Sequence, residues 1–246
     1  MLSKESINEL LKEPVEVYVY DTVTSTNDVA RELCGDSGYV LVVADGQTNG
    51  RGRQGKSFFS PHDSGLYFSL AIDTHSPAFE FTGVTCAVAV AVSRAVRKIA
   101  ETDLKIKWVN DLYSEDRKVC GILVQAVSEN GRIKKLIIGV GINVSTIDFP
   151  DDIKDIAGSL GKKVDRNILT AEAVNNILGL IFSNPEEYID EYRSKSNVIG
   201  KEITYIQNGI SHTATAMDID KNGGLIVRNG EETITLTSGE ISVRFR

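Results

Sequence analysis

The sequence predicts an α+β fold: a mixed, largely antiparallel sheet with helices, followed by a small all-β barrel. Three observations point there. Hairpin-linked strand patterns outnumber strand–helix–strand units through the first part of the chain, which disfavours a parallel sheet. The continuous apolar run 39–44 (YVLVVA) has the look of a strand covered on both faces, and 65–72 (GLYFSLAI) returns to strand. After Gly200 the helical patterns stop, and short β-rich pieces separated by Asn-Gly turns take over. The chain is therefore read as two domains, 1–199 and 200–246.

The elements follow in order. The opening MLSKESINELLKE is a short, charged, amphipathic helix. Residues 15–20 (VEVYVY) are β-branched and aromatic and make a strand. Thr24, Ser25 and Thr26 precede NDVARELC, where a hydroxyl can cap a short helix and Asp28 suits its first turn. After the 39–44 strand, residues 45–60 are rich in Gly, Asn, Gln and Arg without periodicity; a loop that long in a compact domain is usually functional. Residues 79–100 form an alanine-rich helical pattern closing on Arg94, Arg97 and Lys98, cations that complement a helix C-terminus. Strands are expected at 104–108, 118–127 and 132–144, the last two joined by the hairpin signal Glu129-Asn130-Gly131. Helices at 170–182 and 186–195 are divided by Asn184-Pro185. In the last domain, Asn208-Gly209, Asn222-Gly223-Gly224 and Asn229-Gly230 punctuate EITYI, HTATAMDI, GLIVR, TITLT and EISVRF.

Composition excludes several functions. With 34 acidic and 27 basic residues the net charge is −7, which disfavours general nucleic-acid binding, since phosphate contacts need a broad cationic face. Three cysteines (Cys34, Cys86, Cys120) and three histidines (His62, His75, His212) are scattered, so zinc sites and histidine triads lack material. Unpaired thiols fit a cytoplasmic protein. No stretch reaches the ~20 apolar residues of a membrane span.

Against that acidic background, 50–56 reads GRGRQGK: Arg51, Arg53 and Lys56 alternate with Gly50, Gly52 and Gly55. Glycines let backbone amides approach an anion, and arginine offers a planar fork for phosphate or carboxylate. A solvated surface loop could share this composition. With Ser57 the stretch also fits the P-loop pattern, but a P-loop needs a helix starting at Lys-Ser. Phe58, Phe59, Ser60 and Pro61 follow instead, so the match is read as accidental, with a P-loop NTPase as runner-up.

Two further places stand out. KWVNDL (107–112) ends an apolar strand in Asn110 and Asp111 beside the only tryptophan, Trp108. An Asp near a phosphate loop could hold Mg2+ directly or through water, although Asn-Asp is also an ordinary turn pair. RKVCGI (117–122) follows. Lys118 could be a plain edge charge, but Gly121 inside a strand suggests that a ligand or another backbone comes close.

Taken together these residues resemble the biotin protein ligases. Ser25-Thr26-Asn27 looks like the family's S-T-N signature, and Gln47 with GRGRQGK resembles its adenylate loop. KWVNDL is similar to K-W-P-N-D-L, RKVCGILVQ to R-K-x-x-G-I-L-x-E, and GVGINV (139–144) completes the pattern. The likeness extends to the C-terminal Gly239-Glu240-Ile241-Ser242 and covers most of the chain.

The resemblance implies the sheet of class II aminoacyl-tRNA synthetases and biotin ligases, with an SH3-like C-terminal barrel. It also implies an enzyme that activates biotin with ATP and Mg2+ and transfers it to a lysine of a carboxylase's biotin carrier domain. Ser25, Thr26, Asn27, Gln47, Arg51, Gly52, Arg53, Lys118, Gly121 and Ile122 would hold biotin. Gly50, Arg51, Gly52, Arg53, Gly55, Lys56, Asn110, Lys118 and Asn143 would hold ATP and the adenylate. Lys118 and Arg53 would be catalytic, Lys118 bridging carboxylate and α-phosphate, and Asp111 is the candidate Mg2+ ligand.

The chain departs from the pattern at Val109 (usually proline, so a looser turn is expected), Lys56 (arginine), Gln125 (glutamate) and Leu236, where some members place tryptophan against adenine. Some relatives carry an N-terminal helix-turn-helix domain. Fourteen residues precede the first strand here, so no DNA-binding role is expected. A homodimer is compatible with the likeness. A lipoate ligase, which shares the fold, and an RNA-binding protein using the Arg-rich loop are competing readings. Neither a nucleic-acid nor a membrane partner is expected.

Overall fold

The computed structural model describes residues 1–35, 38–74, 81–129, 132–207, 209–237 and 241–243. Seven strands make the main sheet: β1 (Glu16–Val23), β2 (Tyr39–Gln47), β3 (Gly65–Asp73), β4 (Lys105–Lys107), β5 (Asp111–Ser114), β6 (Arg117–Glu129) and β7 (Arg132–Asn143). Their order across the sheet is β1-β2-β3-β7-β6-β5-β4. β1 and β2 run parallel, and the other neighbours are antiparallel, as hairpin-rich patterning requires.

Both apolar runs lie in the middle of this sheet. β3 is buried from Gly65 through Ile72 because each of its faces is covered. On one face pack α3 (Phe81–Ala100), α4 (Arg166–Ile181) and α5 (Glu186–Lys195), where Phe68, Leu70, Val88, Val92, Val174 and Ile177 share one core. On the other, α2 (Thr26–Leu33) brings Ala30 against Val40, Val42, Ala71 and Ile137. Each fully buried Val, Leu, Ile or Phe contributes about 1.5–3 kcal/mol relative to leaving it exposed. A fifth helix, α1 (Lys4–Asn8), packs against α4 and β1. Among the described residues no helix is long and apolar enough to cross a membrane.

Several boundaries differ from the sequence reading. Helix α4 begins at Arg166, because the Asp165 side chain caps it by accepting from Asn167 N (2.8 Å) and Ile168 N (3.4 Å). Strand β5 is an addition to the expected set: Asn110 lies in a turn, and Asp111 opens a four-residue strand. Ser25 is the N-cap of α2, but its side chain makes no capping hydrogen bond. The hairpin positions Asn130 and Gly131, Asn208, and Gly239 and Glu240 lie outside the described residues.

The C-terminal part is a five-stranded antiparallel sheet of β8 (Glu202–Gln207), β9 (Ile210–Ile219), β10 (Leu225–Asn229), β11 (Glu232–Leu236) and β12 (Ile241–Val243), ordered β11-β10-β9-β8-β12. Gly223 (φ 85°) and Gly230 (φ 62°) adopt the left-handed conformation that the expected turns demand. The two sheets are tied by the Trp108 indole, whose Nε1 donates to Gly223 O at 2.8 Å, and by Arg193 Nε donating to Ile219 O at 2.6 Å.

Candidate active site

A cavity of about 340 Å³ opens over the C-terminal half of β7 and the start of β6. Its floor follows from strand pairing. Gly121 sits directly opposite Gly141, and Gly139 opposite Leu123. The bare patch this leaves is covered by the Phe58 ring: a Cβ on Gly141 would lie 2.6 Å from Phe58 Cε1, and one on Gly121 3.1 Å from Cε2. The close approach that Gly121 implied is thus made, among the described residues, by an aromatic side chain of the glycine–arginine loop and by the Lys118 stem (3.4 Å), not by another backbone.

One wall is a hydrogen-bonded cluster at the start of α2. Thr26 N donates to Gln47 Oε1 (2.9 Å), Gln47 Nε2 to Ser60 Oγ (2.9 Å), and Asn27 Nδ2 to Gln125 Oε1 (2.9 Å). Asn27 can sit there because residue 139 has no side chain; a Cβ would come within 2.1 Å of Asn27 Oδ1.

The opposite wall is the loop. It folds back on itself through Gly52 N to Lys56 O (2.7 Å), Phe58 N to Gly50 O (2.8 Å) and an antiparallel bridge between Arg51 and Ser57. Gln54 (φ 54°) and Gly55 (φ 77°) turn its tip. No helix starts at Lys56-Ser57, so the P-loop reading does not hold. Arg51 Nε donates to Asp28 Oδ2 (2.9 Å), and Arg53 Nη1 to Asn110 Oδ1 (3.1 Å), which anchors the loop to both flanks of the cleft.

Lys118 opens toward the same cavity. Its main chain is clamped, N to Ile156 O and O from Gly158 N, each at 2.9 Å. Its Nζ lies 2.8 Å from Asp111 Oδ1. That oxygen is otherwise buried without a well-aligned hydrogen bond, so charge rather than directionality holds the pair. Asn143 donates from Nδ2 to Gly158 O (2.9 Å), while its buried Oδ1 meets no donor among the described residues. Burial, reinforced by the Asp111 charge, pushes the Tyr113 phenol up to about 12, so it stays protonated at neutral pH. Burial likewise raises the Cys86 and Cys120 thiols and keeps them protonated.

Of the residues singled out from sequence, Ser25, Thr26, Asn27, Gln47, Arg51, Gly52, Arg53, Lys56, Asn110, Asp111, Lys118, Gly121, Ile122 and Asn143 line this cavity. Gly50 and Gly55 do not. Gly50 is buried behind the wall, where a Cβ would strike Phe58 O at 2.5 Å, and Gly55 serves the loop tip. At two of the departures the surroundings are plain. Val109 is buried and its carbonyl accepts from Tyr192 Oη at 3.0 Å. Leu236 belongs to the hydrophobic core and does not line the cavity; from the C-terminal sheet it is Ile241 that reaches it.

Sequence reasoning missed Phe58, Lys107, Tyr113 and the whole segment carrying Phe149, Ile153, Ile156 and Ala157. Its one signal was a set of apolar residues spaced among acids in a non-periodic stretch. Elsewhere among the described residues, Asp21, Asp45 and His62 cluster with metal-like spacing outside the cavity, but Asp45 Oδ1 is already paired with Arg166 Nη1 at 2.5 Å.

Comparison with known proteins decides the family. Residues 19–143 match the biotin/lipoate A/B protein ligase family, and residues 198–244 match the biotin protein ligase C-terminal domain. The chain is 30% identical over 257 aligned residues to the bifunctional ligase/repressor BirA of Bacillus subtilis, an alignment spanning 98% of this chain and 79% of that one. The chain belongs to the biotin protein ligase family. Among solved structures, the biotin protein ligase from Aquifex aeolicus in complex with biotin and ATP superimposes with a TM-score of 0.81 at 30% identity, covering 93% of this chain and 98% of that one. The biotin–[acetyl-CoA-carboxylase] ligase of Mycobacterium tuberculosis is 26% identical over 89% of this chain and 84% of its own. Family membership makes the chain a biotin protein ligase, a class of ATP-using enzyme, and sets aside the NTPase reading.

Proposed function

We propose that biotin and ATP meet in this cavity, that biotinyl-5'-AMP forms there, and that a lysine of a biotin carrier domain then takes the biotinyl group. The observation that carries this assignment is the joining, in one cleft, of a polar cluster for a small uncharged ring with a group of cations. Ser25, Thr26, Asn27 and Gln47 face Arg51, Arg53, Lys56 and Lys118 across a glycine and phenylalanine floor. An apolar bicycle with one ureido group fits the first half, as small-molecule sites pair apolar walls with a few placed polar groups. Triphosphate fits the second.

The chemistry follows from charge. A carboxylate oxygen of biotin attacks the α-phosphorus of ATP and pyrophosphate leaves. Two anions must approach, and the Lys118 ammonium would lie between them. Arg51, Gly52, Arg53 and Lys56 would close over the mixed anhydride, with Ile122 and Gly121 beneath it, and protect it from water. The apolar segment at Phe149, Ile153 and Ile156 would flank the base. An uncharged lysine amine of the carrier then attacks the acyl carbon, and AMP departs with the P–O bond intact.

The Asp111 carboxylate and the unpartnered Asn143 Oδ1 offer the hard oxygen ligands Mg2+ prefers. When bound, the ion would neutralise phosphate charge. Three free cysteines suit the reducing cytoplasm, where we place the enzyme.

The test is direct: incubate the protein with biotin, MgATP and a biotin carrier domain, then probe for labelled carrier. Labelling should need all three. Labelling by lipoate and not by biotin would overturn the assignment.

A further inference from the structure

Behind the polar wall lies a residue that does not touch the cavity. Ser69, on the central strand β3, is fully buried, and its Oγ sits 2.7 Å from Thr26 Oγ1 and 2.6 Å from Asn27 Oδ1. We propose that Ser69 is a positioning residue that fixes the hydrogen-bond polarity of the substrate seat, and so selects a ring bearing both an N–H donor and a carbonyl acceptor. This rests on the proposed use of the cavity for biotin.

A count of protons gives the polarity. The Thr26 backbone N–H can only donate, so the Gln47 atom facing it is the amide oxygen, and Gln47 Nε2 faces Ser60. Ser60 in turn gives its single proton to Phe58 O (2.9 Å), so Gln47 is locked. At the other end, Asn27 Nδ2 donates to Gln125 Oε1, which leaves Asn27 Oδ1 to accept from Ser69. Ser69 has one proton and has now used it. The 2.7 Å contact to Thr26 must therefore be filled by the Thr26 hydroxyl proton. The alternative acceptor for that proton, Gln47 Oε1, is 3.2 Å away, long for an O–H···O bond.

The consequence is chemical. With its proton committed to the interior, Thr26 Oγ1 can meet a ligand only as an acceptor. Asn27 keeps a second amide hydrogen, unclaimed among the described residues, and can meet a ligand only as a donor. Both residues line the cavity. A cyclic urea supplies the complement, an N–H for Thr26 and a C=O for Asn27, whereas a dithiolane ring supplies neither. Without Ser69 the Thr26 proton is released, and the Asn27 amide can turn over.

The experiment uses the full chain and Ser69→Ala, which removes one buried oxygen from a small side chain, with Ser69→Thr restoring the hydroxyl. Calorimetric binding of biotin and of desthiobiotin (which keeps the ureido ring but lacks the thioether), and KM for biotin and for ATP, are measured. For Ser69→Ala we expect biotin and desthiobiotin binding to weaken by the same factor, roughly 10-fold to 100-fold, as for a buried polar partner left unpaired. The KM for ATP should stay within about twofold, and Ser69→Thr should recover most of the loss. Unchanged biotin binding in Ser69→Ala, an equal rise in both KM values, or a loss confined to biotin and absent with desthiobiotin would each overturn the role of Ser69. Wild-type protein that bound no biotin would instead overturn the proposed function itself.

Discussion

Removing the ammonium of Lys118 isolates the electrostatic part of the reaction. In Lys118→Met the aliphatic stem that packs toward Gly121 is kept and the charge is lost. Opposite unit charges about 4 Å apart interact by about 4 kcal/mol at an effective dielectric near 20. At about 1.36 kcal/mol per decade that corresponds to roughly three decades of rate. The Lys118 side chain is 32% exposed, so solvent screens part of this, and a 10²-fold to 10³-fold fall in adenylation is expected. Asp111, 2.8 Å from the missing ammonium, also loses its ion-pair partner. The assay is pyrophosphate release in single turnover, compared with transfer from supplied biotinyl-adenylate, which should suffer far less. Pyrophosphate release within about threefold of wild type would refute the bridging role, and so would equal losses in both steps.

Three other perturbations follow from the same geometry. Arg53→Gly breaks the tie to Asn110 (3.1 Å), so more adenylate should escape; non-carrier lysine labelling should rise about tenfold, and unchanged retention of the intermediate would count against loop closure. Gly141→Ala drives a Cβ to 2.6 Å from the Phe58 ring, which must retreat by about 1 Å to reach ordinary contact; the KM for biotin should rise about 10²-fold with the fold intact, and an unchanged KM would show that the ring does not border the substrate. Asp45→Asn removes the partner of Arg166, a pair with both side chains nearly buried, and should lower stability by about 3 kcal/mol.

The last variant carries a pH signature. Burial pushes the Asp45 carboxyl up, but the hydrogen bond and charge of Arg166, with help from the Asp63 amide and His62, outweigh it and hold the group below the usual carboxylate range. A depressed folded pKa means a contribution fully present above the unfolded value of about 4 and lost as pH falls through the folded one. The gap in urea midpoint between wild type and Asp45→Asn should be flat above about pH 5 and close below about pH 4. A gap that stays constant at lower pH would show that the carboxylate charge is not what the pair contributes.

How legible the site is in the sequence depends on the kind of signal each residue carries. GRGRQGK and KWVNDL are visible because cations, glycines and a lone tryptophan are rare in those combinations, and the fold does bring them to one cleft. The buried strands announce themselves through unbroken apolar runs. Phe149, Ile153 and Ile156 are invisible because their stretch has no period; they reach the cavity through long-range backbone bonds from Lys118 N to Ile156 O and from Gly158 N to Lys118 O, which no local pattern encodes. Phe58 reads as an ordinary loop aromatic for a similar reason: its seat exists only once Gly121 and Gly141 are in register across two strands. Capping misleads in both directions. Ser25 looks like a cap and is spent on the pocket, while Asp165, a less obvious cap, starts α4 a full turn early.

The indole bond from Trp108 to Gly223 joins the turn that bears Asn110 and leads into Asp111 to a turn of the C-terminal sheet. The altitude of those two polar groups above the cleft is therefore set partly from outside the unit that contains them, and Ile241 from the same small sheet borders the cleft as well. Grafting a foreign C-terminal module onto residues 1–199 should then re-tune the chemistry itself, showing as altered adenylation even in chimeras that melt at the parental temperature.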